Sequence, residues 1–170
     1  MVLSKSELIS ALQHEVHILV HLAGKVDGSM LDYRPTPKQR STIELLRYLS
    51  MMGPALLTVA LADDGGFNPD DWRAASEEAN ARGFDETVAA IAAQSSLYAA
   101  RIGVMHDSAF REEINGFSGR IPRGAFIVSL ILNGYAAYRT QLFLYLKACG
   151  RDDLSTTDLW QGVDAPPARA

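Results

Sequence analysis

Three of the four histidines of this chain, His14, His17 and His21, recur at three- and four-residue spacings inside one apolar-patterned segment. On an α-helix that spacing returns to a single face. His17 and His21, four residues apart, could then grip one divalent cation such as zinc or nickel, both of which take imidazole. The stripe lies opposite Leu8, Leu12, Leu19 and Ala23, and Glu15, a further ligand type, is not on its face. The expected role is therefore a solvent- or partner-facing surface, with metal capture as the alternative. His106 stands alone. Cys149 is the single cysteine, which excludes an intrachain disulfide and a CxxC motif. Only Lys147 and Arg151 are near enough in sequence to activate its thiol, so it reads as a small buried hydrophobe. Gly65-Gly66 and Gly116-Phe117-Ser118-Gly119 lack the Gly-Lys-Ser/Thr continuation of a phosphate loop. No Ser/His/Asp order singles out a hydrolytic triad.

The elements that must carry these groups are helical, and no segment alternates convincingly as a strand. A first helix is expected from about Ser6 to Ala23, burying Leu8, Leu12, Val16, Leu19 and Ala23. A second starts either at Ser41, whose pairing with Glu44 forms a capping box, or one turn earlier at Thr36 with Gln39 and Pro37. Its seam is Leu45, Leu49, Met52, Leu56 and Val59, and Gly53-Pro54 inside it predicts a kink. The connection Asp63 to Gly83, with a short helix around Trp72 to Asn80, is too long for a simple antiparallel hairpin and implies a crossover. Phe84, Val88, Ile91, Ser95, Tyr98, Ile102 and Met105 mark a third helix, followed by a looser stretch from Asp107 to Arg120. The fourth runs from near Pro122 to Gly150 and is apolar almost all round, as at the centre of a bundle or a homodimer interface.

At 170 residues with 48% hydrophobic composition, the chain supports one domain over residues 1–160, with a loose tail over 161–170. A net charge of -4 and the lack of a basic stripe argue against a nucleic-acid surface. The N-terminal residues lack the basic and apolar regions of a secretory signal. Gly124 to Leu146 could mimic a membrane span but is interrupted by Asn133, Arg139, Thr140 and Gln141. No membrane association is expected, and the cytoplasm is the default location.

Two segments carry a family likeness. Ser41-Thr42-Ile43-Glu44-Leu45-Leu46-Arg47-Tyr48-Leu49 resembles the DinB-like segment in which a capping Ser and a Glu lead into His-Leu. Asn133-Gly134-Tyr135-Ala136-Ala137-Tyr138-Arg139-Thr140-Gln141-Leu142, continuing to Gly150, is similar to that family's last helix. The resemblance implies an all-α four-helix bundle, up-down-down-up, with its long crossover between helices 2 and 3. It also implies a three-histidine divalent-metal site, used by some members for thiol transfer or hydrolysis. The corresponding positions here are Tyr48, Gly134 and Tyr138, none of them histidine.

Along the last helix, the row that would have faced a metal is Ile127, Ile131, Gly134, Tyr138, Gln141 and Tyr145. Tyr48, Tyr138, Gln141 and Tyr145, roofed by the gap at Gly134, could present hydroxyls and an amide to a small ligand. Alternatively, the tyrosines simply fill the former cavity. Three functions follow as expectations: a metal-free ligand- or partner-binding homodimer without a cofactor, a metal-dependent thiol transferase or hydrolase using His14, His17 and His21, or a non-catalytic scaffold.

Overall fold

Ser4 and Ser41 begin helices for the same reason. Each side chain accepts a hydrogen bond from the backbone of a glutamate three residues on, and that glutamate's carboxylate reaches back to the serine N–H. In the structure, a computed structural model that describes residues 3–164, these caps open α1 (Lys5–Ala23) and α2 (Thr42–Leu61). The rival start at Thr36 forms only a turn, closed from the Gln39 N–H to the Thr36 carbonyl. Asn68 caps α3 (Pro69–Ala81), where Pro69 occupies the first turn and sacrifices no helical bond. α4 covers Phe84–Gly103. The last rod joins α5 (Arg123–Phe126), a π-helical stretch at Ile127–Leu132 and α6 (Asn133–Ala148).

Side-chain links give the helix directions. Lys5 Nζ donates to the carbonyls of Gly103 and Met105, and Gln13 Nε2 to that of Ser95, so α1 and α4 are antiparallel. Arg47 Nε donates to the Arg82 carbonyl just before α4, and Gln94 Nε2 to those of Leu49 and Ser50, so α2 and α4 run parallel. Lys5 meets Val128 across one cavity while Glu15 meets Arg139, which sets the rod parallel to α1. The bundle is thus up-down-down-up, and α3 travels in the crossover that a parallel α2–α4 pair requires.

The expected faces of α1 and α2 are buried: Leu8, Leu12, Val16, Leu19 and Ala23 on one, Leu45, Leu49, Met52 and Leu56 on the other. α2 buries a second stripe as well, Leu46, Ser50, Gly53, Leu57 and Ala60, because α4 and the rod flank it on both sides. α2, not the Gly124–Leu146 stretch, has the length and composition of a membrane span, with 56% of its most apolar window buried inside the bundle.

The loose stretch after α4 needs a correction. It contains an antiparallel hairpin, β1 (Glu113–Gly116) and β2 (Gly119–Pro122), with Gly116 opposite Gly119. The turn is possible because Gly119 takes φ +115°, a region closed to most side chains. Strands of four residues are too short to show an alternating pattern in sequence. Arg123, 3% exposed, then donates to the carbonyls of Ala60, Ala62 and Ala109, satisfying acceptors that α2 leaves free at its end.

A further helix, α7 (Thr156–Gln161), has its own capping box from Ser155 and Asp158. It carries the ordered body past residue 160 to Gly162, which is buried at φ +66° against His17. Residues 165–170 of the expected tail lie outside the described residues.

Candidate functional site

Pro54 decides the chemistry at the centre of the bundle. It has no N–H, so the Ser50 carbonyl one turn earlier loses its helical donor. Gln94 supplies the replacement: its Nε2 donates to Ser50 O at 3.1 Å and Leu49 O at 3.0 Å. Its Oε1 in turn accepts from the Tyr135 hydroxyl, which also bonds the Tyr98 hydroxyl. All three side chains are at most 1% exposed. Burial raises the Tyr98 hydroxyl pKa well above the ordinary range, and that of Tyr135 likewise, so both stay neutral donors. Gly53 permits this arrangement, because the two hydroxyls occupy the space a Cβ would need. The network is closed and fully satisfied, and it reads as structural.

Tyr48, Gly134 and Tyr138 meet at a separate groove of about 560 Å³ on the other side of α2. Tyr48, Met52 and Leu56 of α2 form one wall; Ser129, Leu130, Asn133, Gly134, Ala137 and Tyr138 of the rod form the opposite one. Trp72 of α3, Phe67 before it and Phe117 at the hairpin tip complete the lining. The rings make a continuous aromatic surface: Tyr138 lies 5.1 Å from Tyr48 between centroids, Tyr48 6.3 Å from Trp72, Trp72 5.5 Å from Phe67, and Phe67 5.2 Å from Phe117. The Arg40 guanidinium stacks on Tyr48, 4.0 Å from the ring centroid. Burial, reinforced by the neighbouring Tyr138 phenol, pushes the Tyr48 hydroxyl up to about 12.

The expected pocket needs two corrections. The gap at Gly134 is not open, since the Met52 thioether packs where a side chain would stand, with Cε 3.2 Å and Sδ 3.3 Å from a Cβ placed there. Gln141 and Tyr145 are not in the groove. The Gln141 amide donates to the Tyr145 hydroxyl, which donates to the Arg40 carbonyl at 3.0 Å, while the Tyr145 ring packs edge-on against Tyr33. These two positions lie one to two turns beyond Tyr138 on the rod, past the end of the groove. They hold the backbone of Arg40, the residue whose side chain covers Tyr48.

Phe67, Trp72 and Phe117 are the aromatic lining residues that the sequence reading missed. Trp72 sat in a connection and Phe117 in a glycine turn, and neither periodicity nor motif points them at α2. Gln94, Tyr98 and Tyr135 were also missed as a unit, although Pro54 within a helix signals a carbonyl in need of a donor.

The histidine stripe stays at the surface, with His14 and His17 exposed and His21 half-buried, but α7 packs along one side of it. His14 Nε2 bonds the Trp160 carbonyl at 2.9 Å, His21 Nε2 bonds Asp158 Oδ1 at 2.8 Å, and His17 touches Gly162. The sequence signal for this cover was the Ser155–Asp158 capping box. The three rings do not converge on one point. The ligand atoms that do come within 4.8 Å of one another are those of His21, Asp158 and Asp164, and the Lys25 ammonium is already ion-paired with Asp164. Burial raises the Asp158 carboxyl, yet the His21 and Ser155 hydrogen bonds outweigh it and hold the group below the ordinary range. Burial, aided by the charge of Asp27, pushes the Cys149 thiol up, away from reactivity.

Beneath α7 lies a second polar element. Glu15 and Arg139 face each other at 3.3 Å, their side chains 10% and 6% exposed, and the Trp160 ring covers the guanidinium at 4.9 Å. Glu15 Oε2 and Arg139 Nε are close as charges but make no aligned hydrogen bond.

No protein-family model matches the chain, and no curated protein matches it. Among solved structures it is similar to a DinB-like protein of Bacillus subtilis, YjoA, with a TM-score of 0.60 and 16% identity, over 87% of this chain and 94% of that one. At that identity the likeness speaks for architecture, and it agrees with the helix order and directions derived above. The chain has the DinB-like fold.

Proposed function

We propose that the groove between α2 and the rod binds a small, largely apolar molecule by burial and aromatic contact, without a metal ion and without catalysis. One observation carries this reading. At the positions where DinB-like proteins hold a metal, the lining residues include five aromatic rings and a thioether but no histidine, cysteine or carboxylate. A divalent cation does not fit that set: the Tyr48 phenol resists ionisation and Gly134 offers no ligand atom. The volume lies within the usual range of about 300–1,000 Å³ for ligand pockets.

The test pairs elemental analysis of untagged protein with ligand-observed NMR of an aromatic fragment set, on the wild type and on Gly134→Leu, whose side chain meets the Met52 thioether and so forces Met52 to repack at the groove wall. The expected result is no stoichiometric metal, and fragment binding that the variant abolishes. A stoichiometric metal, or fragment binding indifferent to Gly134→Leu, would overturn the proposal.

A relocated metal enzyme has one supporting observation, the His21, Asp158 and Asp164 cluster, but a cation there must displace Lys25. The elemental analysis covers that case too. A pure scaffold predicts no fragment binding at all. We further propose a cytoplasmic homodimer. The rod's apolar circumference, which motivated it, is largely covered within the chain, leaving Leu144, 58% exposed, as its main uncovered residue. A monomeric mass by light scattering across concentration would remove the dimer.

A further inference from the structure

Tyr48 and Trp72 have two sides. One faces the aromatic groove; the other faces a smaller cavity of about 260 Å³, in which Arg40 and Arg47 converge. The two cavities share these side chains as a common wall. The second differs in chemistry from the first, since its lining is dominated by guanidinium, hydroxyl and amide groups, including Ser76 and Asn80.

Charge around it is unbalanced. Four arginines gather at this end of α2. Arg34 is paired with Glu44 at 3.3 Å and Arg82 with Glu78 at 2.6 Å. Arg40 and Arg47 have no carboxylate partner among the described residues. Glu44, the acidic group lining the cavity, is held by Arg34 and by the Ser41 N–H. Arg47 spends only its Nε, on the Arg82 carbonyl at 2.9 Å, and Arg40 is stacked on Tyr48. Two guanidiniums thus remain beside an apolar groove in a chain whose net charge is -4. Planar guanidiniums are suited to bidentate recognition of carboxylates.

We propose that the ligand is an aromatic carboxylate, its ring system lying on the Tyr48–Tyr138–Trp72 surface and its acid group reaching over the shared wall to Arg40 and Arg47. This inference rests on the reading of the groove as a ligand site and adds the anionic half of the ligand. Tyr145 acts as a positioning residue in it, because its hydroxyl holds the Arg40 backbone.

Three probes of one shape separate the possibilities: 2-naphthoate, 2-naphthamide and 2-naphthylmethylammonium, titrated calorimetrically into the whole chain. The carboxylate should bind at least about tenfold more tightly than the amide, with the ammonium weakest. Added salt should weaken only the carboxylate. Arg40→Gln with Arg47→Gln should erase the preference, so that carboxylate and amide bind alike, and an unchanged thermal transition checks that the variant is folded. If the amide or the ammonium binds as tightly as the carboxylate, or the double variant keeps the preference, the anionic half is wrong and the groove reading survives. If none of the three binds, the groove reading fails and takes this inference with it.

Discussion

Gly53→Ala is a sharp probe of the bundle's centre. By local propensity the substitution should help, since alanine is favoured over glycine in a helix interior by about 1 kcal/mol. The structure reverses the sign. The added Cβ would land on the hydroxyl oxygens of Tyr135 and Tyr98 and 2.7 Å from Tyr135 Cζ. Neither ring can retreat without breaking the bonds that join Tyr98, Tyr135 and Gln94 in the buried interior. Overpacking costs about 1–3 kcal/mol, and each buried polar group left unpaired about 1–3 kcal/mol. Set against the propensity gain, the net loss should be about 3 kcal/mol, or a fall in Tm of roughly 6–12 °C for a chain of this size. Urea unfolding and calorimetry measure it. The decisive comparison repeats Gly53→Ala in a Tyr98→Phe, Tyr135→Phe background, where the colliding oxygens are gone and the loss should shrink by more than half. A neutral or stabilising Gly53→Ala, or an equal loss in both backgrounds, would refute the reasoning.

Arg139→Met should cost about 3–5 kcal/mol in urea unfolding, because it strands the Glu15 carboxylate beneath α7. Adding Glu15→Leu should recover most of that loss, and failure to recover would mean the pair is not coupled. Alkaline titration followed by tyrosinate absorbance should leave Tyr48, Tyr98 and Tyr135 protonated when ordinary tyrosines, near pH 10, have begun to ionise. Their raised folded-state values mean a contribution to stability that is complete below pH 10. For Tyr48 it is lost as the pH rises through about 12. Six tyrosines titrating together near pH 10 in folded protein would contradict the burial described for these three.

The elements that periodicity and caps specify locally were legible in the chain itself. Ser41 begins its helix through groups within three residues of itself, as expected, while Ser4 and Asn68 do the same slightly ahead of the starts expected near Ser6 and Trp72. Gly150 ends the last helix with φ +92°, and the length of 63–83 already implied a crossover. Tyr48, Gly134 and Tyr138 were legible as neighbours only through a family likeness, and the structure does bring them to one groove. What occupies the gap was not legible, because Met52 reaches Gly134 through space across 82 positions of sequence. The same holds for α7. Its capping box is local, but its seat on His14, His17 and His21 depends on where the rod delivers residue 155. Sequence determines backbone hydrogen bonding over a turn or two and the face that must be buried. Tertiary packing alone decides which polar groups share a buried space, and so which tyrosine becomes a strut, which a pocket wall, and which histidine a latch.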